Sequence, residues 1–167
     1  MSTPPGIEIR SATSHDLPEV LALIRALAVY EKLPGPDEEA ARRFAADFAA
    51  TPPRFELLVA ARAGELVAYA LFFPTYSTFL ARPSLYLEDL FVRPDARGCG
   101  VGGALLERLA ALAVERGCGR FEWVVLDWNV HAQEFYRALG ARLLPEWQLC
   151  RIGGAALARL AARSDRP

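Results

Sequence analysis

The chain has 167 residues, 53% of them hydrophobic, enough to bury a core of its own and too apolar for intrinsic disorder. Its 19 Lys and Arg balance 20 Asp and Glu, so no basic footprint invites nucleic acid or an anionic membrane as a partner. Cys99, Cys118 and Cys150 lie far apart, leave one thiol over in any disulfide scheme and match no zinc spacing; no metal and a reduced, cytoplasmic setting are expected.

In chain order, Met1–Arg10 has no apolar stretch of signal-peptide type, and Ile7–Arg10 predicts a short first strand. Asp16 followed by Glu19, with Pro18 between, predicts a helix start of capping-box type. Val20, Ile24 and Leu27 then recur at helical spacing as far as Glu31. The run Leu33-Pro34-Gly35-Pro36 breaks that helix, and Asp37-Glu38-Glu39 opens another with Phe44 and Phe48 on one side. Phe55–Arg62 and Glu65–Phe73 predict a hairpin around Ala63-Gly64. Leu85–Val92 predicts an apolar strand interrupted by Glu88 and Asp89, and a loop from Arg93 to Gly100 leads into a helix carrying Leu105, Leu109 and Leu112 on one face. Phe121–Leu126 predicts a further strand, Asn129 an N-cap for a helix ending at Gly140, and Trp147–Ile152 a last strand. The order is mixed α/β, antiparallel at first and βαβ-like in its second half. One domain is expected over 1–167, with its core at about 7–153 and loose ends at 1–6 and 163–167.

The turn Arg97-Gly98-Cys99-Gly100-Val101-Gly102-Gly103 lies between a strand and a helix. Glycines there let backbone N–H groups approach a phosphate, and the helix N-terminus adds donors and a positive dipole end. Arg97 adds a charge-assisted contact, so a pyrophosphate is the natural guest. A P-loop needs Lys and Ser or Thr after the glycines, where Ala104 and Leu105 stand. The spacing Gly98-x-Gly100-x-x-Gly103 does fit a dinucleotide fingerprint, with Asp127 as the ribose acid. Five residues separate that turn from its strand, however, and too little chain follows Asp127 to finish a doubly wound sheet. A purely structural glycine turn stays open.

The two carboxylates of the fourth strand suggest proton transfer. An alkylamine with pKa near 10.4 is protonated at neutral pH, and freeing its lone pair costs about 4–5 kcal/mol. Glu88 is the candidate base, since burial in an apolar strand would raise its pKa toward a useful value. Asp89, on the opposite face by strand alternation, would pair with a cationic substrate or with Arg. Both being exposed on a bulged strand is the alternative. Tyr136 stands two helical turns past Asn129 on the same face, either as a general acid or as a partly buried core tyrosine. Cys99 near a helix N-terminus could serve as a nucleophile, but no base lies near it in sequence.

Arg97-x-x-Gly100-x-Gly102 after a strand resembles the acyl-CoA pyrophosphate motif of the GNAT superfamily of N-acetyltransferases. Within it, Leu85–Val92, Arg97–Gly102, Leu126-Asp127-Trp128-Asn129 and Phe135–Ala141 resemble the diamine acetyltransferase family and its thialysine N-acetyltransferase branch. The likeness runs from about Ile7 to Ile152. It implies a GNAT fold with two splayed central strands and acetyl-CoA as co-substrate. The backbone of Leu90, Phe91 and Val92 would pair with pantetheine, and Gly98, Cys99, Gly100, Val101, Gly102 and Gly103 would hold the pyrophosphate with Arg97. Asn129 and Tyr136 would lie near the thioester, with Tyr136 protonating the departing thiolate. Tyr30, Glu31 and Glu146 match positions that meet substrate, beside Glu88 and Asp89. After Thr75-Tyr76, diamine enzymes tend to carry an acidic residue, whereas Ser77-Thr78-Phe79 follow here; that, with Leu126-Asp127-Trp128-Asn129, tilts the acceptor toward thialysine, lysine analogues or other small amines, with a diamine or polyamine still compatible. A homodimer is implied as well, with only the apolar run Ala155–Ala162 hinting at it in the sequence. A non-catalytic acyl-CoA sensor, or an enzyme acting on a peptide amine, remains compatible with such a fold.

Overall fold

A computed structural model describes residues 3–164. Of the ends expected to be loose, 1–2 and 165–167 lie outside the described residues. The chain divides into two compact units, up to Val124 and from Val125 onward.

Apolar alternation in the first unit builds β1 (Ile7–Ser11), β2 (Glu56–Arg62), β3 (Glu65–Ser77) and β4 (Arg82–Val92). Helical periodicity gives α1 (Leu17–Glu31), α2 (Glu38–Ala49) and α3 (Val101–Glu115), and a short β5 (Phe121–Glu122) follows. The sheet runs β1-β2-β3-β4-β5. Its first four strands are antiparallel neighbours, and β5 joins parallel to β4. This is the mixed α/β sheet flanked by helices that the sequence predicts. One face buries Leu17, Val20 and Leu23 of α1 against Leu57, Val59, Tyr69, Leu71 and Phe91, with Phe44 and Phe48 of α2 at the margin. Each such large side chain contributes about 1.5–3 kcal/mol by leaving water. The chain from β4 to the parallel β5 passes through α3, which packs against β2, β3 and β4 and buries Leu105, Leu106 and Leu109.

Several local signals resolve differently from expectation. Asp16 does not cap α1 with its side chain. It belongs to a 3-10 turn, Ser14–Asp16, capped by Thr13, and the Asp16 carboxylate accepts from the Thr13 backbone N–H at 2.7 Å and its hydroxyl at 2.9 Å. Glu19 instead accepts from the Leu66 N–H at 3.0 Å. Asp37 does cap α2, through the Ala40 N–H at 2.7 Å. The turn Ala63-Gly64 has φ of 51° and 89°, the two positive values that a twisted two-residue hairpin requires. Pro74 fails to end β3. The hairpin continues from Pro74 opposite Leu85 to Ser77 opposite Arg82, positions where a missing N–H is tolerated near a strand end.

The decisive irregularity lies in β4. Asp89 stands opposite Leu71, yet Leu87 stands opposite Phe72. Glu88 is therefore the extra residue of a β-bulge. Simple alternation would put Leu85 and Leu87 on the face of Asp89; the bulge turns them to the other face, where they are 0% and 2% exposed. A bulge also bends its strand. The pairing of β4 with β5 involves only Leu85 with Phe121 and Tyr86 with Glu122. Among the described residues, no strand is laddered to that edge of β4 beyond Tyr86, and β5 stops at Glu122 where the sequence predicted Leu126.

The second unit contains α4 (Val130–Ala138) and α5 (Gly154–Ala161). Asn129 caps α4 by accepting from the Ala132 N–H at 3.3 Å, and Gly140 takes a φ of 89° just past its end. The predicted strand Trp147–Ile152 is not formed among the described residues. That unit offers no other strand there to receive its backbone groups, and Trp147 and Leu149 stand 73% and 66% exposed. Among the described residues, no helix is long and apolar enough to cross a membrane.

Candidate active site

Three parts of the first unit meet around the far end of α1. The last turns of α1 bring Ala26, Val29 and Tyr30, β4 brings Phe91, and the following loop brings Pro94 and Arg97; together they line an open cleft of about 450 Å³. Arg97 is held on this surface. Its Nε donates to the Val92 carbonyl at 2.9 Å, and its guanidinium lies 5.2 Å from the Tyr30 ring centroid and 5.6 Å from that of Phe91. Stacking of that kind is worth about 0.5–1 kcal/mol at an exposed site.

The glycine turn opens α3 directly. Gly98 and Gly100 have φ of 74° and 82°, a region costly for a side chain and open to glycine. Gly100 is the residue immediately before the helix. The first-turn N–H groups of an α-helix have no partner within it, so Val101, Gly102 and Gly103 present the donors that a phosphate would seek. Cys99 is exposed, with Sγ 3.6 Å from the Arg97 carbonyl.

The carboxylates are arranged otherwise than the sequence implied. Glu88, expected to be partly buried, is exposed because the extra residue of a bulge has no partner opposite it. Asp89 is the half-buried one, on the face of Tyr69, Leu71 and Phe91. Burial pushes its carboxyl up from 3.8 to about 6, against the opposing hydrogen bond from Tyr69 and with help from the charges of Glu88 and Glu31. The Tyr69 hydroxyl donates to Asp89 Oδ2 at 3.1 Å. Tyr69 is itself 0% exposed, and burial followed by the Asp89 charge drives its phenol far above its ordinary value. Glu31, half-buried beside Tyr30 at the end of α1, is raised by burial.

The fold thus brings Tyr30, Glu31, Asp89, Phe91 and Arg97 to one region of the first unit. Leu90 and Val92 lie on the same strand, and Glu88 sits on its exposed bulge. Asn129, Tyr136 and Glu146 belong to the second unit, where Tyr136 is half-buried and Glu146 exposed. Tyr69 was missed in sequence. A phenol inside Leu66-Val67-Ala68-Tyr69-Ala70-Leu71 was a usable signal, because a buried hydroxyl needs a polar partner. Only the register of the hairpin shows that this partner is Asp89.

The family model described as "Acetyltransferase (GNAT) family" matches residues 19–141. A thialysine N-epsilon-acetyltransferase of Bos taurus is 37% identical over 94% of this chain and 98% of its own length. An L-ornithine N5-acetyltransferase of Arabidopsis thaliana is 48% identical over 55% of this chain and 40% of its own. Among solved structures, an integron cassette protein from the mobile metagenome of V. cholerae aligns with a TM-score of 0.81 at 24% identity, covering 93% of this chain and 98% of that one; that likeness speaks to fold alone.

Proposed function

The chain belongs to the acetyltransferase (GNAT) family, and on that premise we propose that it carries acetyl from acetyl-CoA to the primary amine of a small cationic molecule. Its class is that of an acetyl-CoA-dependent amine N-acetyltransferase; the acceptor is what the site adds. The observation that carries the proposal is the placing of two half-buried carboxylates, Glu31 at the end of α1 and Asp89 on β4, with the Glu31 charge acting on Asp89 and an apolar cleft walled by Tyr30 and Phe91 beside them. Like charges brought together out of water are costly when alone. A bound ammonium relieves that cost, and an anionic or neutral acceptor does not.

Acetyl-CoA supplies the acyl carbon and a thiol leaving group. Residues fit to hold it are the positive-φ glycines at the start of α3 for the pyrophosphate and the unladdered edge of β4 at Leu90, Phe91 and Val92 for the amides of pantetheine. The Val92 carbonyl already accepts from Arg97 and retains a second lone pair. A carboxylate of β4 receives the proton that the ammonium must lose, the role for which the sequence nominated Glu88. Tyr136, which the family likeness nominates, returns a proton to the thiolate. The match over 19–141 reaches from the first unit into the second as far as residue 141.

Lysine-like and ornithine-like amines are preferred acceptors in this proposal. The names of the bovine and plant relatives support that choice, and so does Ser77, which adds no negative charge for the far end of a polyamine. A homodimer is part of the same proposal, supported by the exposed Leu157 and Leu160 of α5 and checked by light scattering. The direct test is thiol release from acetyl-CoA with thialysine, lysine, ornithine, putrescine, spermidine and a short peptide. Release with the amino-acid amines at kcat/KM at least tenfold above spermidine supports the proposal. A preference for the peptide, or release with none, overturns it.

A further inference from the structure

We propose that Tyr30 positions Arg97 for the pyrophosphate of acetyl-CoA, so that a ring of α1 serves the cofactor as well as walling the cleft. That role rests on the reading of the chain as an acetyl-CoA-dependent acetyltransferase and adds a positioning residue to its cofactor site.

The surroundings of Arg97 set it apart from other arginines of its unit. Arg10, Arg62, Arg93 and Arg116 each meet a carboxylate, at 2.6 to 3.0 Å. Arg97 meets none among the described residues, and every group that holds it is uncharged. Its Nε donates to the Val92 carbonyl at 2.9 Å. The Tyr30 and Phe91 rings lie with their centroids 5.2 and 5.6 Å from its central carbon. A carboxylate would neutralise the guanidinium, whereas a carbonyl and two aromatic rings hold it and leave its charge whole. With Nε engaged, the terminal nitrogens keep their donors for an anion.

The place in the chain suits that anion. Gly98 follows at once with a φ of 74°, and Gly100, with a φ of 82°, stands immediately before α3. One short segment thus carries a charged donor and the unpartnered N–H groups of a helix start. An arginine gives up much rotamer freedom when it grips a ligand. Holding the side chain beforehand removes part of that loss and strengthens binding by preorganisation.

The two rings differ in what they can contribute. Phe91 is 4% exposed and belongs to the core, fixed opposite Tyr69 in the sheet. Tyr30 comes from a different element, the last turn of α1, and is 39% exposed. Its ring is the nearer of the two to the guanidinium, so it ties the end of a helix to the loop after β4. The cation lies over the ring, which makes the aromatic face and not the hydroxyl the group that acts; phenylalanine should replace tyrosine there.

The test compares wild type, Tyr30→Phe, Tyr30→Leu, Arg97→Met and the double variant Tyr30→Leu/Arg97→Met in the full chain. Acetyl-CoA affinity is measured by calorimetry. Transfer is measured with acetyl-CoA and with S-acetyl-N-acetylcysteamine, a thioester that ends short of the pyrophosphate. Arg97→Met should weaken acetyl-CoA binding about tenfold or more, as for loss of a hydrogen bond to a charged group. Tyr30→Leu should weaken it about two- to fivefold, the worth of an exposed cation–π contact, and Tyr30→Phe should restore it. In the Arg97→Met background, Tyr30→Leu should cost nothing further. The ratio of kcat/KM for acetyl-CoA to that for the short thioester should fall in Tyr30→Leu by the same factor as the affinity. A general defect, or an effect of Tyr30 on the acceptor, cancels in that ratio. Unchanged affinity in Tyr30→Leu overturns the proposal, as does a loss that is the same with and without Arg97. Equal losses in Tyr30→Phe and Tyr30→Leu would place the effect on the hydroxyl and overturn it too. Acetyl-CoA binding with the expected pattern, but no amine acetylated by wild type, would overturn the reading as an enzyme and leave the role of Tyr30 standing. No binding of acetyl-CoA by wild type would overturn both.

Discussion

Beside β1, the Asp16 carboxylate is 7% exposed and fully served. Arg10 grips both of its oxygens at 2.7 and 2.8 Å, and Thr13 adds its N–H and hydroxyl. On β4, Asp89 is half-buried with one phenol as donor and two carboxylates acting on it. The Arg10 hydrogen bond, opposed by burial and aided by Thr13, holds Asp16 well below the usual carboxylate range. Burial drives Asp89 up to about 6. Desolvation acts on both, so the difference lies in the donors: a complete set turns a buried acid into a structural tie, and an incomplete one leaves it chemically available.

The largest expected effect comes from breaking the served site. Asp16→Asn should cost about 3 kcal/mol of unfolding free energy, the lower end for a buried ion pair, because Arg10 keeps a third of its side chain in water. The sign with pH follows from a folded-state value below the unfolded 3.8. Stability from Asp16 is present above that value and disappears as pH falls through and below it, so wild type and variant should converge in urea titrations at low pH. The fold of β1 and the 3-10 turn should suffer, with kcat of the folded fraction unchanged.

Asp89→Asn should move stability the other way. Raising a carboxyl from 3.8 to about 6 corresponds to roughly 3 kcal/mol against the charged form in the folded state. An amide still accepts from Tyr69, more weakly, so the net gain at pH 8 should be about 1–2 kcal/mol. Here the folded state takes up its proton more readily than the unfolded chain. Wild type therefore loses stability as pH rises from about 4 to about 6 and the variant does not, so the gain should vanish near pH 4. A variant stabilised at pH 8 yet crippled in acetyl transfer would show that the protein carries Asp89 for its chemistry. Equal stability at both pH values would mean that Asp89 is less desolvated than its surroundings imply.

Much of this contrast could not be read from the chain itself. Helix periods, the hairpin at Ala63-Gly64 and the glycine turn before α3 were legible because each is set by neighbours a few residues apart. Asp89 and Tyr69 are 20 residues apart, and what joins them is the register of β3 with β4. Alternation alone placed Glu88 and Asp89 on opposite faces and could not say which face was buried; the bulge at Glu88 decides that, and it turns on one extra residue. The Arg10–Asp16 pair was hidden for a similar reason. The Asp16-x-x-Glu19 pattern reads as a helix cap, whereas the carboxylate turns back to Thr13 and Arg10. The strand predicted at Trp147–Ile152, which does not form, shows the converse limit: an apolar segment can be fit for a sheet, but its unit supplies no partner strand among the described residues.

Asp95 separates pairing from burial. Like Asp16 it is bound by arginines, with Arg93 Nε at 3.0 Å and Arg62 at 2.8 Å, and Arg93 lowers its carboxyl below the ordinary value. Unlike Asp16 it is open to water, with 48% of its side chain exposed. If the donor set alone made Asp16 a structural tie, Asp95→Asn should destabilise the chain in the same manner. If burial is the other half of the cause, solvent screening and the freedom of two long arginine side chains leave the pair with almost no net value. The expected outcome is a Tm indistinguishable from wild type in 0.15 M salt, measured beside Asp16→Asn in the same scans. A loss approaching that of Asp16→Asn would show that the Arg62–Asp95–Arg93 cluster ties β2 to the loop after β4, and that pairing without burial is enough in this protein.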